Sequence, residues 1–372
     1  MKAPHEFSER ILLAVTGLSP QIVTETLYAL TQVQKPAFVP TCIVVLTTSE
    51  GANRIRLELL GEDKAWFHRM RQEYELPDIR FSDSEIRVIE DEKGQPLSDI
   101  RTPEQNSRVA DQVAEVVREL AQNENTAIHA SIAGGRKTMG FYLGYAMSLY
   151  GRPQDRLSHV LVDEGFEGNP EFYYPTKKQR TIYDRDGRPL DAAKAKVMLA
   201  NIPFVRLRDG LPEHLLKGRS SFSKTVALAQ KLYGPVSLDI DLAEQRLLCA
   251  GVPVKMTHAD MAFYLFMANR ALNEQGPIRW DNPQWRDQYL DAFRHVVSEY
   301  ASEYEAAEKA LLGNKEYDDK NYFEQRKSRT NTALKKALGK RGAEPYMIQT
   351  LGPRGESRYG LGIDPEAIRI RE

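Results

Sequence analysis

ILLAVTGLSPQ at Ile11–Gln21 and AIHASIAGGRKTM at Ala127–Met139 are the two stretches whose reading decides the fold. Each opens on a short apolar run, Ile11–Val15 in the first and Ala127–Ala130 in the second. Each then passes through a turn of small residues into a segment with helical spacing. A strand, a small-residue turn and a helix in succession aim backbone N–H groups and the positive end of a helix at one point. That geometry suits an anion such as phosphate. Two such turns in one open α/β sheet predict a phosphate-rich site at the carboxyl ends of the strands.

The surrounding pattern supports that sheet. Pro20–Gln32 carries Ile22, Val23, Leu27 and Leu30 on one side and reads as an amphipathic helix. Cys42–Leu46 is apolar without interruption, as in a parallel strand covered on both faces. Thr47-Thr48-Ser49 follows, then a predicted helix from Ala52 to Arg71. Ile86–Ile89 is a third strand. Thr102-Pro103-Glu104-Gln105 opens a helix to about Gln122, with Thr as cap, Pro in the first turn and Gln set for a capping box. Lys137–Tyr150 is a helix and Ser158–Val162 a strand. The alternation predicts an α/β, Rossmann-like, mostly parallel sheet. Asn169–Arg188, rich in Gly, Pro and Tyr, reads as a loop or hairpin.

The chain has 372 residues, enough for two domains. A formal net charge of -1, with 41% hydrophobic and 28% charged residues, describes a globular protein and argues against a polyanion binder over its whole surface. Cys42 and Cys249 are the only cysteines. A disulfide framework or thiolate metal site is not expected, and a reducing cytoplasm fits. No apolar run is long enough to span a bilayer, and Met1–His5 has no apolar leader core.

Ser19 stands where a hydroxyl would face the cleft, and Lys137 starts its helix after Gly134 and Gly135, which admit close backbone approach to a ligand. Neither a Walker loop nor a G-x-G-x-x-G fingerprint is present. Thr16, Gly17, Gln21, Thr47, Thr48, Arg136, Thr138 and Met139, beside the strand ends, complete the candidate ligand-binding set with the two glycines. The plainer alternative makes Ser19 a helix cap and Lys137 a surface cation. No histidine–carboxylate cluster with metal-ligand spacing occurs, so neither a metal nor another cofactor is expected. His129 lies within a predicted strand and reads as a satisfied buried histidine before it reads as a base.

Leu18–Leu30 (LSPQIVTETLYAL) and Gly134–Met139 (GGRKTM) resemble the CRISPR-associated ring nucleases with a CARF domain. Asp99–Pro103 and Ile202–Leu207 are similar to that family as well. The resemblance spans roughly residues 8 to 210. It implies a homodimer that binds cyclic tetra-adenylate in a shared cleft and opens it to linear di-adenylate with 2′,3′-cyclic phosphate ends, switching off type III CRISPR signalling. It also implies that Ser19 and Lys137 are the catalytic pair. The substrate's own ribose 2′-hydroxyl would be the nucleophile, so the reaction requires no metal. The alternative is a regulator that binds the cyclic ligand and duplex DNA without cleavage.

The expected organisation is a CARF domain over residues 1–205, a connector over 206–235 and a smaller α+β domain over 236–372. Val236–Ile240, Arg246–Cys249 and Val252–Lys255 read as strands, with a turn at Ala250-Gly251. Thr257 caps a helix, Asp281–Gly313 is largely helical, Ser328–Leu338 is a basic helix, and Pro345–Leu351 with Arg358–Ile363 forms a hairpin. This order resembles a winged helix-turn-helix. Arg326, Lys327, Arg329, Lys335 and Lys336 on or beside the basic helix, with Arg354 and Arg358 on the wing, are candidate contacts to double-stranded DNA. A dimerisation module with a solvated charged face is the alternative. Arg208 and His214 have the R-x-x-x-x-x-H spacing of HEPN ribonucleases, but Gly210 and Pro212 oppose the single helix that motif needs.

Overall fold

The structure is a computed structural model that describes residues 2–218, 220–312, 319–353 and 355–372. It divides into two compact units, Met1–Arg208 and Asp209–Glu372.

In the first unit strands and helices alternate: β1 (Glu9–Val15), α1 (Gln21–Tyr28), β2 (Cys42–Thr47), α2 (Ser49–Ile55), α3 (Trp66–Glu73), β3 (Ile86–Val88), α4 (Pro103–Leu120), β4 (Thr126–Ser131), α5 (Lys137–Tyr150) and β5 (Arg156–Val162). A small hairpin, β6 (Thr181–Tyr183) and β7 (Pro189–Asp191), precedes β8 (Val197–Asn201). The main sheet runs β3-β2-β1-β4-β5-β8. Its first five strands are parallel and β8 is antiparallel to β5. This is the mixed α/β, largely parallel, Rossmann-like arrangement that the sequence predicts. Every residue of β2 and β4 is buried, because helices cover both faces. Leu12, Ala14, Ile43 and Val45 meet Val23, Leu27, Ile55, Phe67 and Met70 in one core cluster. Val109, Val113 and Val117 of α4 and Leu143 and Met147 of α5 are buried as well.

Local chemistry explains most boundaries. The Thr102 hydroxyl accepts from the Gln105 N–H at 3.3 Å, and the Gln105 side chain accepts from the Thr102 N–H at 3.2 Å. That reciprocal pair starts α4 where the sequence puts it. The expected helix over Ala52–Arg71 is instead two helices. α2 runs into a π-helical stretch, Arg56–Leu60, and the chain then turns through Ala65 at φ 47° before α3. α1 likewise continues as a π stretch, Ala29–Val33. The polar run Glu62-Asp63-Lys64 is the sequence signal for the break.

A buried ion pair fastens the amino ends of β4 and β5. Arg152 and Asp155 are 2% and 0% exposed and pair at 2.9 Å. The carboxylate also accepts from the Ile128 N–H, and the guanidinium also reaches Thr126 Oγ1 and the Asn123 carbonyl. Every charge in the group is matched, which is the condition under which burying it is tolerable.

The second unit begins with α6 (Glu213–Lys217) and α7 (Phe222–Leu232), followed by β9 (Leu238–Asp241), β10 (Arg246–Cys249) and β11 (Val252–Val254). Four helices follow: α8 (His258–Leu272), α9 (Gln284–Val296), α10 (Ser302–Leu312) and α11 (Asp319–Ala343). The hairpin β12 (Gln349–Leu351) and β13 (Arg358–Gly360) precedes β14 (Ile368–Arg371). β14 adds parallel to β9 and completes a sheet ordered β11-β10-β9-β14. Phe263, Phe266, Trp285, Tyr289 and Phe323 form the centre of its core, and Leu228 and Leu232 of α7 pack against it. α11 breaks at Gly339, whose φ of 77° is outside helical space. Arg208 opens a short 3₁₀ turn with Asp209 and Gly210, whereas His214 belongs to α6. No continuous helix carries both.

Asp155→Ala leaves the Arg152 charge buried and unmatched. It is expected to destabilise the chain by about 3–5 kcal/mol in urea unfolding. A loss below about 1 kcal/mol would contradict the structural role given to the pair.

Candidate phosphate-binding site

β1 and β4 are neighbours at the centre of the sheet, where the strand order reverses direction. Their carboxyl ends therefore open on the crevice where α/β sheets receive ligands. Parallel register sets Leu13 opposite Ala130 and Ala14 opposite Ser131, so the two following turns leave the sheet side by side. A Cβ added to Gly17 would lie 3.4 Å from the Gly135 Cα, and one added to Gly134 would lie 2.9 Å from the Val15 carbonyl oxygen. Gly135 has a φ of 78°, a conformation that favours glycine. At Gly51 of α2 a Cβ would come within 2.6 Å of the Gly17 carbonyl oxygen. Small residues thus let the β1 turn, the β4 turn and the start of α2 meet.

The meeting place is a cavity of about 550 Å³ lined by Gly17, Ser19, Thr48, Gly134, Gly135, Arg136 and Met139, among others. Ser19 is exposed there, and its carbonyl accepts from the Thr16 hydroxyl at 2.9 Å, closing the turn ahead of α1. Thr48 caps α2 by accepting from the Gly51 N–H at 3.3 Å.

Other members of the predicted set stand elsewhere. Lys137 is exposed on the first turn of α5, next to Arg136 but outside the cavity lining. It enters no ion pair or hydrogen bond among the described residues. Thr138 is exposed beside it. Thr16 and Thr47 are fully buried, and Thr47 Oγ1 lies under α2 with no hydrogen-bond partner. Gln21 turns away from the turn and donates to the Pro170 carbonyl at 3.5 Å.

Sequence reasoning singled out Asp99–Pro103 for its resemblance but placed none of it among the site residues, although Asp99 carries the site's ion pair. Asp99, Ser98 and Arg101 line the same cavity, with Glu50 of α2. Arg136 clamps Asp99 bidentately, Nε to Oδ1 at 3.0 Å and Nη2 to Oδ2. Asp99 also accepts from the Ile100 N–H at 2.8 Å and from Arg101 Nε at 3.2 Å. The Arg136 hydrogen bond first, then the backbone donor, hold its carboxyl down to about 2. The pair is partly exposed, with Arg136 57% open to solvent, so an anionic ligand can compete for the guanidinium. The clue available from sequence was the acidic residue just ahead of the Thr102 capping box.

His129 is wholly buried, with Nε2 2.7 Å from Ser158 Oγ, and burial first, then Arg156, lower it to about 3. It stays neutral and does not line this cavity. Among the described residues no group of three or more His, Cys, Asp or Glu side chains could hold a metal ion. No helix among them is long and apolar enough to cross a membrane.

In the second unit the candidate DNA contacts divide. Arg326 turns inward onto Asp260 at 2.9 Å, and Lys327 pairs with Glu324 at 2.6 Å and lies over the Tyr359 ring. Arg329, Lys335, Lys336 and Arg358 are exposed. Arg354 lies outside the described residues.

One turn beyond Gln21, Glu25 is buried, and burial first, then Glu167, push its carboxyl up to about 8. The unfolded chain releases that proton near 4.5, so stability falls as pH rises from about 4.5 to 8. Glu25→Gln is expected to raise the melting temperature at pH 8 and to change it little at pH 4.5. A thermal-melt series with a pH-independent difference would contradict the burial of this carboxyl.

A comparison with curated proteins finds no match. Among solved structures, Csm6 of Enterococcus italicus bound to cyclic hexa-2′-fluoro-hexa-dAMP is 16% identical, over 41% of this chain and 34% of that one, with a TM-score of 0.27. A type III CRISPR defence DNA nuclease activated by cyclic oligoadenylate is 17% identical, over 79% and 31%, with a TM-score of 0.26. Can2 from Sulfobacillus thermosulfidooxidans in complex with cyclic tetra-adenylate is 12% identical, over 87% and 64%, with a TM-score of 0.21. This chain spans about a third of the length of the first two. Likenesses this distant carry no weight for activity or ligand. The family model for CRISPR-associated protein NE0113, in contrast, matches residues 19–235, more than half of the sequence and including Ser19, the β4 turn and the Asp99 loop. The chain belongs to the CRISPR-associated NE0113 family.

Proposed function

We propose that the first unit is a CARF domain that binds cyclic tetra-adenylate and cleaves it to linear di-adenylate, ending type III CRISPR signalling. The observation that carries this reading is the meeting of the β1 and β4 turns at one cavity, with Ser19 and Arg136 on its wall. Membership of a CRISPR-associated family supports it. Leu18 and Phe141, 59% and 62% exposed on the elements that bear the site, favour a second copy of the chain covering them. A two-fold pair of sites matches a ring with two opposed phosphodiesters.

The chemistry follows from the ligand. A ribose 2′-oxygen attacks the adjacent phosphorus, a 2′-O–P bond forms, the P–O5′ bond breaks, and the 2′ proton passes to the departing 5′-oxygen. Two such events per ring give two di-adenylates with 2′,3′-cyclic phosphate ends. Ser19 holds the ribose or phosphate so that the attack is in line. Lys137, on a flexible four-carbon stem, meets the charge that grows on the phosphorane oxygens, together with the N–H groups of the β4 turn. Arg136 exchanges Asp99 for a phosphate of the ring. No step calls for a metal.

Incubated with cyclic tetra-adenylate in EDTA, the full chain is expected to yield di-adenylate on chromatography. Lys137→Ala should slow this by about 10²–10³-fold, and Ser19→Ala by up to about 10²-fold. Ring that stays intact after prolonged incubation would refute the cleavage reading.

A second reading concerns the second unit. The exposed Lys335 and Lys336 on α11, with Arg329 and Arg358, favour a winged-helix-like surface for duplex DNA. Gel retardation that weakens steeply with salt, and weakens further in Lys335→Ala/Lys336→Ala, is its expected signature. Failure to retard any duplex, with or without cyclic ligand, would count against it.

A further inference from the structure

A second cavity, of about 740 Å³, lies in the first unit at the amino ends of the strands, opposite the Ser19 site. It is built from the segment before β1, the segment leaving the π stretch after α1, the start of β5 and the chain beyond β8. Its charged lining is wholly cationic: Lys35, Arg156 and Arg206, with His5 beside them and no carboxylate.

The two guanidiniums are fixed side by side. Arg156 Nη1 donates to the Pro153 and Asp155 carbonyls at 2.8 and 2.9 Å. Arg206 donates from Nε to the Arg152 carbonyl at 2.9 Å and from Nη2 to the same Asp155 carbonyl at 3.1 Å. Arg156 Nε and Nη2 and Arg206 Nη1 make no hydrogen bond among the described residues. The nearest carboxylate, Asp155, is committed to Arg152. Burial first, then the neighbouring Arg206, lower Arg156 from the ordinary arginine value, and Asp155 partly offsets this. Paired arginines with open donors suit a phosphate.

The rest of the lining suits a flat base. Phe204 supplies aromatic surface, with the Arg206 guanidinium 4.5 Å from its ring centre, and the amides of Gln34 and Asn201 supply donors and acceptors for a base edge. The volume falls in the range of small-ligand pockets.

We propose that this cavity binds a mononucleotide, with its phosphate on Arg156 and Arg206 and its base beside Phe204. The site is independent of the proposed cleavage at Ser19 and Lys137.

The test is calorimetric titration of adenosine 5′-monophosphate into the full chain, with inorganic phosphate and adenosine as separate arms. The nucleotide is expected to bind more tightly than either part. Arg206→Ala and Lys35→Glu are each expected to weaken it about tenfold or more. Lys137→Ala should leave its affinity unchanged, which separates this site from the ring-cleaving one. Lys35 is exposed, so its variant remains informative if the loss of the Arg206 anchors impairs folding. The proposal is overturned by no binding at millimolar nucleotide, by phosphate binding as tightly as the nucleotide, or by affinity that is lost in Lys137→Ala and kept in Lys35→Glu.

Discussion

The parallel pairing of β1 with β4 is the constraint on which the first unit depends. With Ile11 opposite Ile128 and Leu13 opposite Ala130, the two strands end together. A slip of one residue would turn each buried side chain of one strand to the other face and separate the glycine turns. Complete burial of both faces forbids that slip. The site is therefore a consequence of core packing: hydrophobic register brings two backbone turns to one place, and small residues let them touch.

Two arginine–carboxylate pairs show how environment decides role. Arg152 and Asp155 are fully enclosed, and both carboxylate oxygens and all three guanidinium nitrogens have hydrogen-bond partners. Such a pair has nothing left to offer a ligand and acts as a staple between strands. Arg136 and Asp99 have similar geometry but lie at a cavity rim, open to water. There the carboxylate keeps the guanidinium extended and oriented while leaving it open to exchange. Arg156 and Arg206 are a third case, cations held by backbone carbonyls and, for Arg206, by the Phe204 ring, with no carboxylate partner among the described residues.

Much of this was legible beforehand. The five parallel strands, the Thr102 capping box, the Ala250-Gly251 turn and the Thr257 cap follow from local patterns, because each depends on residues close in sequence. β8 and β14 were not legible. Each is a short run that becomes a strand by pairing with a distant partner, β5 and β9. The split of the helix after β2 was also missed, since apolar spacing continues through a π stretch that adds a residue to the turn.

The candidate site divides along the same line. Sequence alone determined that Ser19, Gly134, Gly135 and Arg136 sit at strand ends ahead of helices, because strand, turn and helix are written in consecutive residues. Tertiary structure alone decided that Asp99 reaches across to Arg136, that Thr47 and Gln21 face away from the cavity, and that Arg326 is spent on Asp260. Those facts turn on which side chains meet across gaps of tens of residues. Periodicity says which way a residue points from its own element; only the packed chain says what stands opposite.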